Sequence, residues 1–221
     1  TGAATFTNTA GTNDAITLDD ASNAFSGTVT FSTDSGSAVT VVDTTALDLL
    51  ALSAASLSVT AGGAITDSGT LAVSGATTLI ASGQDITLDE AASTFGTLSL
   101  IGANVAVTEN DATDLGASTV GGTFGITSGG AITDSGTQAI TGAATFTNTA
   151  GTNDASTLDD VSNAFSGTVT FSFFFGSAVT VVDTTALDLL ALTAASLSVT
   201  SGGAVTDSGT LAITGATTIS A

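Results

Sequence analysis

The chain has 221 residues, 43% of them hydrophobic, and carries 20 acidic side chains with no Lys, Arg or His, a formal net charge of -20. Nothing in it can neutralise phosphate, which argues against nucleic-acid binding and against attraction to anionic membrane surfaces. Cys is absent too, so no disulfide or thiolate-metal framework exists, while a mean hydropathy of +0.52 is too apolar for a disordered acidic tail.

In chain order, the first predicted strand is Thr5-Phe6-Thr7, where hydroxyl and apolar residues alternate with the period of a strand that buries one face. AITL at 15–18 reads the same way, and Phe25 anchors a third short segment. The pattern restarts with TVTF at 28–31 and AVTV at 38–41. Over 46–57, ALDLLALSAASL, the apolar phase changes between Leu49 and Leu50, which predicts a bulge or corner, with a short helix as the competing reading. The surplus leucines there, Leu49 and Leu50, would form an outer apolar ridge able to contact a neighbouring chain. Further segments follow at 64–66, Val73, 78–80, 85–88, Phe95, 97–100, 104–107, Val120, 123–126, 131–133 and Ile140, separated by Gly, Asn, Asp or Ser turns.

From residue 142 the chain repeats itself: residues 2–81 return as 142–221 with 12 differences in 80 positions. Within that block, GGAITDSGT at 62–70 returns at 129–137. Aligning the residue pairs that open strands gives coils of 19–28 residues, three to each half-repeat, with segments at 1–74, 75–141, 142–214 (a copy of the first) and 215–221 (the start of another). Three short strands per coil suit a turn stacked on its successor. The expected fold is all-β, a parallel β-helix (β-solenoid), continuous through every segment and stabilised by stacking, because no coil can bury its own apolar face. Nine coils at roughly 4.8 Å each would make a rod about 43 Å long.

The tandem units GGAITDSG and SLSVTAGG resemble the filamentous-haemagglutinin-like repeat regions of giant bacterial surface proteins, and the resemblance covers the whole chain. It implies a right-handed parallel β-helix, secretion to the cell surface and a role in adhesion or matrix formation. The lack of any basic residue departs from that family's usual composition. Residue 1 falls inside a repeat, so the segment reads as cut from a longer protein whose targeting signals lie elsewhere.

Acids recur just after the second segment of each coil, at Asp20, Asp43, Asp67, Asp89, Glu109 and Asp134. Stacked, they would form a carboxylate ladder whose neighbours repel by about 0.9 kcal/mol in water. Such an edge could collect hard divalent cations, Ca²⁺ above all. The plainer reading is that corner Asp residues make turns and keep the solenoid soluble. A second row, Thr5/Thr7, Thr28/Thr30, Ser56/Ser58 and Thr97/Ser99, resembles the ice-binding faces of some antifreeze solenoids. The largest break between copies sets Phe173, Phe174 and Phe175 against Thr33-Asp34-Ser35, a candidate contact for a neighbouring chain.

No catalytic residue is expected. There is no Ser/His/Asp set and no Cys nucleophile, and β-helix polysaccharide lyases lean on Lys or Arg. The pair Asp19-Asp20 recurs as Asp159-Asp160, which suits a periodic corner better than a unique active site. The expected function is a structural extracellular β-solenoid forming a fibre, matrix or adhesin stalk by self-association end to end. A polysaccharide-active enzyme and an ice- or cation-binding solenoid are the alternatives.

Overall fold

The computed structural model describes every residue except Thr1, Thr9, Ala10, Thr12, Thr152, Phe174 and Phe175. Strands and turns make up the described residues, with no helix among them, and the strands pair in parallel, each with the coil before and after. By internal contacts the chain forms two compact units, Thr1–Asn110 and Asp111–Ala221.

In the first unit one ladder runs through Ala4–Thr7, Thr28–Ser32, Leu47–Leu49, Ile65–Asp67, Ile86–Leu88 and Val105–Glu109. A second runs through Ile16–Leu18, Ala38–Asp43, Ser56–Ala61 and the later halves of Leu71–Ile80 and Thr94–Gly102. A short third joins Leu52–Ala54 to the early halves of those two long strands. In the second unit the first ladder passes through Phe124–Ser128, Ala144–Asn148, Thr168–Ser172, Leu187–Ala194 and Val205–Asp207. The second contains Thr113–Leu115, Ile132–Asp134, Ser156–Leu158, Ala178–Asp183, Ser196–Ser201 and Thr217–Ser220, and the third Ser118–Val120, Gln138–Ile140 and Ala164–Phe165.

Period-2 alternation decides which face is buried. Along Ser56–Ala61 the Leu57, Val59 and Ala61 side chains turn in while Ser58 and Thr60 turn out. Parallel register then stacks like on like, Leu18 on Val41, Val59, Leu79 and Leu100 in turn. Phenylalanines do the same: Phe6 lies over Phe31 at 5.6 Å between ring centres and Phe146 over Phe171 at 5.4 Å, both nearly parallel. Burying a side chain of this size contributes about 1.5–3 kcal/mol, so the interior files dominate the stability of each unit.

The segment over 46–57 forms two strands, Leu47–Leu49 and Leu52–Ala54, with a corner between them, and the helical reading is wrong there. Leu49 is 1% exposed and belongs to the core, which removes it from the outer ridge expected of it. Leu50 is half-buried at the corner, and its counterpart Leu190 is 39% exposed.

Coil phasing also differs from expectation. Thr28-Val29 pairs with Asp48-Leu49, whereas the spacing pattern had aligned it with Ser56-Leu57, which belongs to the other ladder. The half-repeat is consequently not a whole number of coils. In the second unit Ile132–Asp134 lies in one ladder, while Val205–Asp207, the same motif one half-repeat later, lies in another.

Candidate functional site

The recurrent motif Gly-Gly-Ala-Ile-Thr-Asp-Ser-Gly is a corner in which each residue serves a neighbouring coil. Its first glycines, Gly62 and Gly63, lie against the backbone of Thr44 and Ala46, too close for a side chain. Ile65 is fully buried. Asp67 reaches forward, its Oδ1 accepting the Asp89 N–H at 2.8 Å. Ser68 reaches back, its Oγ donating to the Asp48 carboxylate at 2.7 Å. Gly69 sits beneath the Leu50 carbonyl, where a Cβ would overlap the oxygen. The copy at 129–137 repeats the arrangement, Asp134 accepting the Asp159 N–H at 2.8 Å and Ser135 donating to Asp114 at 2.8 Å.

Other carboxylates brace in the opposite sense. Asp43, 2% exposed, accepts the Phe25 N–H of the preceding coil at 3.2 Å, as well as the Thr45 N–H and hydroxyl at 3.0 Å. Asp183 does the same for Phe165 and Thr185, and Glu109 accepts the Phe95 N–H at 2.9 Å. Each satisfies a backbone donor of the preceding coil. A buried N–H left bare costs about 1–3 kcal/mol, so these acids hold coils together.

The expected outer ladder of acids is therefore corrected. Asp43, Asp67 and Glu109 are buried, Asp134 is half-buried, and Asp20 and Asp89 are exposed. Asp20 bonds the Ser22 N–H in a local turn. No three carboxylates among the described residues form a group able to hold a metal ion.

Burial raises the Asp67 carboxyl to about 6, and the nearby charges of Asp89 and Glu90 push the same way; the Asp89 and Glu90 N–H groups oppose the rise. Burial also raises Asp134, against the Asn163 amide and the N–H groups of Asp159 and Asp160.

The expected hydroxyl row is redrawn by register. Thr28/Thr30 and Ser56/Ser58 lie on different ladders. One row that aligns in the first unit is Thr17, Thr40, Ser58, Thr78 and Ser99, and on the other ladder Thr5 faces Thr30 and Thr66 faces Thr87. Phe173 is half-buried and packs on Phe171 at 5.6 Å, beside a shallow cleft of about 330 Å³ lined by Thr147, Asn148, Thr149 and Ser172. Phe174 and Phe175 lie outside the described residues.

Residues the sequence did not single out include Asn163 and Gln138, both fully buried. Asn163 Nδ2 donates to Asp134 Oδ2 at 2.6 Å while its Oδ1 accepts the Gln138 N–H at 2.7 Å. A Gln where Leu71 stands in the other half-repeat was the available signal.

A family model described as repeats of unknown function (DUF5649) matches residues 1–32, 36–101, 102–172 and 176–221. No curated protein and no solved structure matches the chain.

Proposed function

The chain belongs to the DUF5649 family of repeats, and from that premise we propose that its repeat β-solenoid works through length, as the structural part of a surface fibre, matrix or adhesin stalk extended by coil stacking and end-to-end association. One observation supports this reading most. Leu18, Val41, Val59, Leu79 and Leu100 form one file in which each coil is paired in parallel with the next and like side chain covers like, so the arrangement lengthens by repetition of the same joint.

Extracellular placement and adhesion come from the resemblance stated above, and the parallel pairing of like coil with like coil is the physical basis for filament growth. Negative-stain micrographs of the protein over a range of concentrations test it. Particles should lengthen with concentration. Particles of one length at every concentration would remove the assembly reading.

A further inference from the structure

We propose that the Asp67 corner is a proton-linked clamp, so that mild acidification tightens the stacking of one coil on the next. Three observations converge on Asp67. Its side chain is 6% exposed, and although Oδ1 accepts the Asp89 N–H, Oδ2 is buried with no hydrogen-bond donor. The strand Ile65–Asp67 lies between Leu47–Leu49, which carries Asp48, and Ile86–Leu88, flanked by Asp85, Asp89 and Glu90. Every ionisable group on those elements is acidic, and the chain has no Lys, Arg or His to compensate. A buried carboxylate oxygen with no donor, among like charges, is a site for a proton.

Asp134 repeats the position. Its strand lies between Thr113–Leu115, which carries Asp114, and Ser156–Leu158, flanked by Asp154, Asp159 and Asp160. Asn163 donates to Oδ2 there and the Asp159 N–H to Oδ1, so both oxygens have donors and the clamp is confined to Asp67. Asp207 is the third copy, and it is exposed.

The sign follows from linkage. Asp67 has its ordinary value of 3.8 raised to about 6 in the fold. Its stabilising contribution is complete below the ordinary value and is lost as pH rises through about 6, so the solenoid gains stability on acidification across that window.

Thermal unfolding of the 221-residue chain at pH 7.5, 6.0 and 5.0 reads the effect. The midpoint should rise by about 4 °C from the highest to the lowest pH. The variant Asp67→Asn keeps an oxygen for the Asp89 N–H bond and removes the charge. It should melt higher than wild type at pH 7.5 and show little of the slope, while Asp207→Asn should retain the wild-type slope. An Asp67→Asn variant with the wild-type slope, or an Asp207→Asn variant that loses it, overturns the clamp. Carboxyl ¹³C shifts of the wild-type chain serve should Asp67→Asn not fold: one Asp should titrate near pH 6, and titration of every carboxyl below pH 5 overturns the proposal.

Discussion

Asn163 serves two neighbours at once, holding the Asp134 carboxylate with its amide nitrogen and the Gln138 N–H with its oxygen. Asn163→Ala should therefore cost about 2–3 kcal/mol, since it bares the buried Gln138 N–H and takes a donor from half-buried Asp134. Asn23→Ala, in the matching segment, should cost less, because half-buried Asn23 donates only at 3.1 Å to the Leu18 carbonyl. Chemical denaturation of the two variants side by side checks the difference. The two asparagines sit in nearly identical sequence, so no local reading separates them. The difference lies in the coil bearing Asp134 and Gln138, which packs against Asn163. For the same reason the acids were legible as a periodic corner set, but the inward turn of Asp43 and Glu109 was not: it depends on the backbone N–H of Phe25 or Phe95 in another coil.

The corner at Leu49 and Leu50 shows how an element can be readable while its place in the ladder is not. Adjacent leucines signal a change of inward face, and the chain does bend there, the Leu50 N–H bonding to the Val29 carbonyl at 2.9 Å. The bend brings the Leu50 carbonyl over Gly69 and the Leu190 carbonyl over Gly209, at distances no Cβ tolerates. Gly69→Ala should destabilise the chain by about 2 kcal/mol or more through overpacking. Gly121→Ala, where nothing lies within 4 Å, should change stability by less than about 1 kcal/mol. Melting curves of the pair test whether the corner depends on close backbone approach. Alternation identified the strands over 28–31, 38–41 and 97–100. What failed was the assumption that strands opening with a hydroxyl-apolar pair are equivalent: Thr28-Val29 and Ser56-Leu57 look alike in sequence but belong to different ladders, because Leu47–Leu49 intervenes as a strand of its own.

At the scale of the whole molecule, 20 like charges without one opposite charge make electrostatics uniformly repulsive. Raising NaCl from about 10 mM to about 0.5 M should lift the melting midpoint steadily by screening that repulsion; a midpoint that falls with salt would contradict it. The duplication shares its pairing too. Thr40 faces Ser58 in one copy as Thr180 faces Ser198 in the other, and Asp48 faces Thr66 as Asp188 faces Thr206. Since the matching joints in residues 2–81 and 142–221 use the same register, genetic exchange between the two segments would splice one coil sequence onto another that already fits it. Blocks of 140 residues can thus be gained or lost by unequal crossing-over without leaving a mismatched seam, which lets selection tune the length of a protein built of such blocks while the chemistry of its interior stays fixed.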